Sequence, residues 1–259
     1  MYLYLYDSFL VDQKYRKLID RLETRLTDLG ISGKTVRLTI LKNAREVIKD
    51  NLREEIDTVV VIGSDNLLAE SAMALAGTNL TLGFIPVNSS SLSQILDIPA
   101  NENACDVVSG RRLEQIDLGR INGQYFLNSV QINTNKIEIQ CDHSYQIKPL
   151  NIKAVKIVNL DWLNFSLNEP NISLSKPTSN ARDGLLEILF TKKTRKGFLG
   201  LKTSEQPDSL FCVKRVNIQA AGEKDVMVKI DSQRIIKLPI VVETVPRCLK
   251  IIVGRNRLI

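Results

Sequence analysis

Aromatic side chains are scarce in this 259-residue sequence. Phe, Trp and Tyr make up only 5% of the residues, and there is a single Trp. Proteins that bind single-stranded nucleic acid without sequence preference stack the bases on aromatic side chains along a basic groove. No such stacking motif occurs here. The composition therefore disfavours this class of protein, and we expect no nucleic-acid partner.

Histidine and closely spaced cysteines are also lacking. The one histidine, His143, lies in a polar stretch where a surface position is expected, which disfavours His-based general-base chemistry and His-rich metal sites. The cysteines lie far apart, with no Cys-x-x-Cys pair, at Cys105, Cys141, Cys212 and Cys248. This spacing favours reduced cysteines in the packed interior over disulfides or zinc ligation.

Long apolar runs are absent as well. No run approaches the ~20 residues that are needed to span a bilayer. The first residues, MYLYLYDSFLVDQKYRK, lack the basic start and apolar core of a signal peptide, and we interpret them as a first strand. These features predict a cytoplasmic protein, for which peripheral contact with a membrane stays open.

Basic residues outnumber acidic ones, giving a net charge of +6 and a pI of about 9.1. This excess suits an acidic partner such as anionic lipid or nucleotide, but it is too small to identify which. A basic segment that also contains Phe and Leu includes Lys192, Lys193, Arg195 and Lys196. Each such residue near a membrane contributes about 1 kcal/mol toward anionic lipid. Peripheral attachment is one interpretation, and a solvated loop or charged helix is the other.

The first hundred residues alternate between strand and helix patterns. Loops between the segments are short, so the pattern predicts a mostly parallel, right-handed wound sheet with helices. Strand patterns cover residues 2–6, 35–41, 57–63 and 80–87, and the helix patterns that follow them reach residues 29, 52, 76 and 96.

From residue 102 onward the apolar residues recur with a period of two. Many short strand patterns separated by turn signals, without helices, are typical of an antiparallel sandwich or barrel. The polar stretch at residues 101–103 is the expected boundary. We therefore predict an α/β domain over 1–101 and a β domain over 102–259, whose last strand is free to return to the first domain.

One stretch, residues 57–71 (DTVVVIGSDNLLAES), is expected to organise the first domain. Four β-branched apolar residues run into Gly63, which suits a strand buried on both faces. Asp65 and Asn66 follow as predicted caps of a helix. Such a strand–turn–helix unit places N–H groups and a carboxylate at the carboxyl edge of a sheet, where open α/β folds bind phosphates and metal ions.

The order of these motifs resembles the diacylglycerol kinase and sphingosine kinase group of lipid kinases. Residues 63–70 (GSDNLLAE) are similar to its GGDGTxNE stretch, and residues 85–92 (IPVNSSSL) occupy the place of its PxGTxNDF loop. Residues 116–128 look like its entry into the β domain, residues 183–187 (DGLLE) like its DGLLD turn, and residues 228–233 fall where it has DGE.

The resemblance implies a Rossmann-like, phosphofructokinase-like α/β domain followed by an antiparallel β-sandwich domain. It implies ATP and Mg²⁺ as cofactors, a catalytic role for Asp65 supported by Glu70, and a structural Mg²⁺ at Asp183. The residues expected to contact the nucleotide are Ser8, Gly63, Ser64, Asn66, Asn88, Ser89 and Ser90.

Several positions depart from the family pattern. The first strand leads into residues 6–10 (YDSFL), with no glycine in place of the NPxSG phosphate loop. Ser64 and Asn66 replace two glycines, and Ser64 adds a Cβ where a phosphate would lie, whereas Asn66 tolerates the positive φ of such a turn. Gln233 stands at the position of the DGE carboxylate, a proposed general base, and an amide does not accept a substrate proton.

Three interpretations follow. The first is an ATP- and Mg²⁺-dependent kinase that phosphorylates a lipid hydroxyl, with a diacylglycerol-like acceptor. The second is a pseudokinase, which keeps the fold as a nucleotide- or lipid-binding module without turnover. The third, an NAD kinase-like enzyme, shares the GGDGT turn but has less support, because the β-domain motifs follow the lipid kinases. The acceptor and the oligomeric state, including a homodimer, stay open.

For Asp65 and Glu70 the plain structural alternatives are a helix cap and a solvated helix residue.

Overall fold

The chain divides into two compact units, as described by a computed structural model. The first unit comprises Met1–Ile116 together with Arg247–Ile259, and the second comprises Asp117–Pro246. Residues 1–39, 43–51, 55–142, 144–161, 179–196, 202–222 and 225–259 are described, with side chains between 193 and 207 excepted. The single histidine, His143, lies outside the described residues. The boundary at residue 101 stays a prediction.

The first unit is a parallel sheet with helices. Its strands are β1 (Tyr2–Tyr6), β2 (Gly33–Arg37), β3 (Thr58–Gly63) and β4 (Thr81–Pro86), and its helices are α1 (Arg16–Asp28), α2 (Ala44–Asn51), α3 (Asp65–Leu75), α4 (Ser91–Ile95) and α5 (Asn103–Gly110). The sheet order is β2-β1-β3-β4, and all neighbours run parallel. Lys250 and Ile251 of the last strand, β16 (Ile240–Ile252), then pair in parallel with β4.

Burial explains why β3 and β4 lie in the middle of this sheet. Every residue of both strands is buried, as expected for a strand covered by helices on both faces. In α1, the buried positions Ile19, Leu22 and Leu26 recur at helical spacing and form its apolar stripe. Parallel strands that are neighbours in a sheet end at the same edge, so the carboxyl ends of β1, β3 and β4 lie side by side.

The second unit is built from antiparallel strands in two sheets. One sheet has the order β12-β11-β10-β7-β14-β15, and in the other β13 pairs with β8 and with the first half of β16. The remaining strands are β5 (Leu113–Ile121), β6 (Gln124–Phe126), β7 (Ser129–Ile132), β8 (Ile137–Cys141), β9 (Tyr145–Ile147), β10 (Ala154–Val158), β11 (Leu186–Lys196), β12 (Lys202–Val213), β13 (Arg215–Ala220), β14 (Met227–Ile230) and β15 (Arg234–Lys237). One apolar core, including Phe126, Val155, Ile188 and Val216, lies within this unit.

The fold class predicted from the sequence is confirmed: an α/β unit with a parallel sheet is accompanied by a separate antiparallel β unit. Two local predictions were wrong. Helix α5 lies at 103–110, just beyond the expected boundary, where only strands were predicted. The basic segment begins inside a strand, since β11 runs to Lys196 and pairs with β12. None of the described helices combines the length and apolar character needed to cross a membrane.

The cysteines follow the sequence prediction only in part. None of the four forms a disulfide within the part of the chain that the structure describes, and Cys105 and Cys141 are buried in the packed interior as expected. Cys212, on β12, is exposed, and Cys248 is half-buried. Burial raises the pKa of the Cys105 thiol to about 11, which keeps it protonated near neutral pH.

Candidate active site

The turn between β3 and α3 forms the centre of the candidate site in the first unit. Gly63 ends the strand with a φ of +152°, and Ser64 precedes the helix as its N-cap, accepting a hydrogen bond on Oγ from the Leu67 N–H at 3.4 Å. Asp65 is the first residue of α3. The prediction that Asp65 or Asn66 caps this helix was therefore wrong, because the shorter Ser64 side chain already reaches the free N–H group.

A residue that the sequence did not single out, Asp7, lies on this turn. Its Oδ2 accepts hydrogen bonds from the Ser64 N–H at 3.2 Å and from the Ser64 Oγ at 2.5 Å. The Asp7 N–H donates to the Ile62 carbonyl at 2.9 Å. The Asp7 carboxylate thus binds two hydrogen-bond donors of the turn that resembles the family's GGDGTxNE stretch.

The signal that could have identified Asp7 is strand register. Tyr6 pairs with Ile62 in the parallel β1–β3 ladder, so Asp7 and Gly63 are the next residues at the same edge. Two strand ends that match in register bring the residues that follow them into contact. The sequence shows where each strand ends but not that β1 and β3 are neighbours.

Asp65 is held by the loop that follows β4. The Ser90 hydroxyl donates to Asp65 Oδ1 at 2.6 Å. Ser90 is itself the N-cap of α4, where it forms a reciprocal capping box with Ser93. The structure therefore brings together two residues that the resemblance assigned to one site, although they lie in different motifs.

The other predicted residues of this site differ in their surroundings. Ser8 follows Asp7, and its hydroxyl lies 3.5 Å from Asp7 Oδ1. Asn66, Asn88 and Ser89 are exposed, and Ser89 Oγ accepts from the Gln94 amide at 3.2 Å. Glu70 is half-buried, one turn into α3. Polar side chains from the ends of three neighbouring strands therefore surround the β3–α3 turn.

Replacing Gly63 with alanine is expected to lower the free energy of unfolding by about 2–4 kcal/mol. A Cβ at this position would press on the Asp7 Cβ and lie 2.9 Å from its Oδ2, and the positive φ adds strain. Urea denaturation of Gly63→Ala measures the loss.

In the double variant with Asp7→Gly, part of the loss should be recovered, since the clash is removed. Gly110→Ala, where no atom lies within 4 Å of the new Cβ, is the control. Equal stability of wild type and Gly63→Ala would contradict the close contact.

In the second unit, the turn that resembles DGLLD contains two carboxylates. Asp183 is exposed, and its Oδ1 accepts from the Leu185 N–H at 2.9 Å, as in an ordinary Asp-Gly turn. Glu187 is only 6% exposed; its Oε1 accepts from the Asn180 N–H, whereas its Oε2 has no hydrogen-bond partner. Burial raises the pKa of Glu187 to about 7, and the charge of Asp183 adds to this effect. Sequence reasoning did not identify Glu187 as a candidate.

The hairpin at residues 230–234 contains the positions of the DGE motif. Gln233 is exposed at its tip, whereas Asp231 is 4% exposed. The Asp231 carboxylate accepts from three backbone N–H groups, those of Leu127, Asn128 and Ser129, at 2.8–3.2 Å. Burial raises the pKa of Asp231 despite these donors. The contacts show a structural role, in which Asp231 fixes the segment that leads into β7.

Metal-ligating side chains are not concentrated anywhere in the part of the chain that the structure describes. No group of three or more His, Cys, Asp or Glu residues there is arranged to hold a metal ion. A divalent ion at either turn would therefore need ligands from backbone carbonyls, hydroxyls, water or a phosphate, as is common for Mg²⁺.

Comparisons with known proteins agree with these features. Residues 3–121 match the family model of the diacylglycerol kinase catalytic domain. A diacylglycerol kinase from Bacillus subtilis (strain 168) is 29% identical over 119 residues, which cover 44% of this chain and 39% of that protein. The match thus spans about two fifths of the length of that curated relative.

Solved structures extend the likeness to the whole fold. A diacylglycerol kinase from Bacillus anthracis strain Sterne superposes with a TM-score of 0.76 at 19% identity, covering 99% of this chain and 97% of that one. Yeast NADH kinase, solved with NADH, gives a TM-score of 0.57 at 10% identity, covering 99% and 84%. At these identities the likeness shows the fold alone. The sequence match and the fold together confirm the resemblance to the lipid kinases: residues 3–121 match the model of the diacylglycerol kinase catalytic domain, and the fold of the chain is similar to that of bacterial diacylglycerol kinases.

Proposed function

We propose that this protein transfers a phosphoryl group from ATP to a lipid hydroxyl, with Mg²⁺ and a diacylglycerol-like acceptor. The catalytic-domain match supports a lipid kinase-like function. The observation that carries the finer proposal is the Asp65 carboxylate, which Ser90 holds at the carboxyl edge of a parallel sheet. This edge is where open α/β folds place their ligands.

The residues at this edge fit a nucleotide and Mg²⁺ in part. Asp65 offers a carboxylate, and Ser89 and Asn88 offer exposed polar groups on the loop after β4. The N–H and hydroxyl of Ser64 are instead used by Asp7. When bound, ATP would supply the phosphoryl group and Mg²⁺ would neutralise its charge.

Asp65 and Ser90 provide positioning. A carboxylate at the start of α3 is stabilised there by the positive end of the helix dipole. The Ser90 hydrogen bond fixes the direction of the Asp65 carboxylate, whose proposed role is to orient a metal ion or to accept the proton of the lipid hydroxyl. Glu70, half-buried on the same helix, is proposed to support this role.

Transfer of radiolabelled phosphate from ATP to lipid tests the proposal. Diacylglycerol, a sphingoid base and a polyprenol are offered separately with Mg²⁺, and the labelled lipid is extracted and counted. Labelling of diacylglycerol above the other two supports the proposed acceptor. Absence of label in all three lipids, with the protein folded, would overturn the enzyme proposal.

A second candidate, the pseudokinase, is favoured by one observation: the donors of Ser64 are taken by Asp7. In that case the fold would serve as a binding module without turnover. Thermal unfolding with and without ATP and Mg²⁺ separates loss of binding from loss of chemistry. A ligand at 100 times its dissociation constant adds about 2.7 kcal/mol to the stability of the folded state. Stabilisation without transfer would support the second candidate.

A structural Mg²⁺ at the 183–187 turn is part of the proposal. The unpartnered Oε2 of Glu187, close enough to Asp183 for their charges to interact, is a buried acceptor that a cation would satisfy. Asp183 and Glu187 would contribute the two carboxylates. The assignment of Asp183 came from the family motif, and the orphaned oxygen of Glu187 is the supporting feature.

In the presence of a chelator, stability is expected to fall as the pH rises from about 4.5 to about 7. Folded Glu187 holds its proton over this range whereas the unfolded chain loses it, so the free energy of unfolding decreases with pH, by about 3 kcal/mol in total. Glu187→Gln should remove this decrease in urea denaturation at pH 5 and pH 8. Glu138→Gln is the control, because hydrogen bonds from Gln219 and Lys148 lower the pKa of Glu138, so this carboxyl titrates below the window.

Adding Mg²⁺ at pH 8 completes the test. Wild type should regain stability as the ion pairs with the ionised carboxylate, whereas Glu187→Gln should not respond. An equal response of both proteins would show that the ion binds elsewhere, and no response in either would remove the proposed site.

The remaining partner predictions are kept as proposals. Lys192 forms an ion pair with Asp208, with Nζ and Oδ1 2.5 Å apart, so its charge is partly balanced. The side chains of Lys193, Arg195 and Lys196 lie outside those that the structure describes. Attachment to anionic lipid through this segment and a homodimer both stay predictions.

A further inference from the structure

Backbone hydrogen bonds fix the position of Asp7 beside the β3–α3 turn. The β1–β3 ladder runs to Tyr6 and Ile62, and the Asp7 N–H continues it by donating to the Ile62 carbonyl. The Asp7 carbonyl then accepts from the Leu10 N–H at 3.0 Å, where a short 3-10 turn begins. Asp7 is therefore fixed on both sides of its Cα.

The space beside Gly63 is used by the Asp7 side chain. Glycine at such a turn normally lets a phosphate approach the backbone closely. Here the atoms nearest to a Cβ at Gly63 are all from Asp7, namely its Cβ, Oδ2 and Cγ. The absence of a side chain at residue 63 thus makes room for an acidic side chain of the same chain.

The contacts of Asp7 are those that an anion makes at the start of a helix. Ser64 contributes its N–H and its hydroxyl, and α3, a helix of 11 residues, begins at the next residue. Backbone N–H groups at a helix start attract anions, including phosphate and carboxylate groups. A phosphate brought to the same donors would have to displace the carboxylate or lie beside a like charge, which is unfavourable.

We propose that Asp7 is an internal competitor of the nucleotide phosphates, so that its carboxylate sets the affinity of this chain for ATP. This inference rests on the proposed function, since it assumes that nucleotide binds at the β3–α3 turn. Asp7 is a specificity-determining residue in this account, and it takes no part in the chemical step. Ser64, which replaces a glycine of the family motif, supplies the hydroxyl that holds Asp7 at 2.5 Å.

The opposite role for Asp7 would be that of a magnesium ligand, and the two roles predict opposite results. A competitor weakens nucleotide binding, whereas a metal ligand strengthens it. Oδ2 accepts hydrogen bonds from the N–H and the hydroxyl of Ser64, and Oδ1 is 3.5 Å from the Ser8 hydroxyl. These contacts favour the competitor.

Isothermal titration calorimetry with MgATP tests the proposal on the full chain. Asp7→Asn removes the charge with little change of shape, and Asp7→Ala also removes the side chain from the turn. Each is expected to lower the dissociation constant of MgATP by about tenfold or more. Asp12→Asn is the control, because it removes a nearby exposed carboxylate that contacts Lys14.

Magnesium tripolyphosphate serves as a second probe, since it keeps the phosphates and lacks the nucleoside. Tighter binding of both probes to Asp7→Asn, with Asp12→Asn unchanged, supports the proposal. Unchanged or weaker binding of MgATP to both Asp7 variants overturns it. Circular dichroism confirms that each variant is folded, and Asp7→Asn is the fallback if Asp7→Ala unfolds.

The lipid-labelling assay separates this inference from the proposed function. If the Asp7 variants bind MgATP more tightly but no protein labels any lipid, the inference stands and the kinase proposal fails. If wild type labels lipid and the Asp7 variants show no change in binding, the kinase proposal stands and the inference fails.

Discussion

Exchange of Asp65 for asparagine is expected to lower the rate of phosphate transfer to lipid by about 10²–10⁴-fold, the usual contribution of a positioned general base. Asparagine keeps an oxygen that accepts from the Ser90 hydroxyl, which now lies 2.6 Å from Asp65 Oδ1. The start of α3 should therefore keep its geometry, and only the charge and the proton acceptor are lost. The initial rate of lipid labelling at saturating ATP measures the effect.

The control for this exchange is Asp50→Asn. Asp50 is exposed on α2, so the variant removes the same charge without touching the β3–α3 turn. It should retain the wild-type rate. A rate for Asp65→Asn within about threefold of wild type would remove Asp65 from the chemical step, and Asp65 would then be only a residue at the start of a helix.

Exchange of Asp231 for alanine is expected to lower the free energy of unfolding by about 3–5 kcal/mol, as when one partner of a buried charged group is removed. Three backbone N–H groups, those of residues 127–129, would lose their acceptor inside the second unit. Such unpaired buried donors are unfavourable because water does not reach them. Denaturation in urea, followed by circular dichroism, measures the loss.

Asp225→Ala is the matched control. Its carboxylate is exposed and forms an ion pair with Lys237, with the two atoms 2.6 Å apart. Exposed pairs of this kind contribute about 0–1 kcal/mol. Equal losses for Asp231→Ala and Asp225→Ala would contradict the structural role of the buried hydrogen bonds.

The strand–turn–helix unit at residues 57–71 could be predicted from the sequence because its signals are local. A run of β-branched residues and a glycine specify a buried strand and a turn regardless of the rest of the chain. The positions of β3 and α3 accordingly agree with the prediction. The fold class could be predicted in the same way. Alternating strand and helix patterns give way near residue 100 to apolar residues that recur with a period of two.

The contacts of Asp7 and Glu187 could not be predicted because they depend on which strands are neighbours. Asp7 meets Ser64 across 57 positions of sequence, through the pairing of β1 with β3. Glu187 is an acidic residue in a strand pattern, and only the packed structure shows that its Oε2 is buried without a partner. The spacing of residues in the sequence does not show which polar side chains will meet or become buried in this way.

Helix α5 was missed for a different reason. Its sequence, NACDVVSG, contains two valines and ends in glycine, and its polar start resembles a linker. Valine and asparagine are weak helix formers. The helix packs its buried residues Ala104, Cys105 and Val108 inside the first unit, so tertiary packing outweighs the local preference.

The last strand, β16, begins in the second unit and ends in the first, where its residues 250 and 251 flank β4. A fragment cut after residue 116 would leave the hydrogen-bonding groups of β4 without this neighbour. Bare strand edges of that kind are templates for aggregation. Anyone preparing the first unit on its own therefore has to join residues 247–259 back onto it.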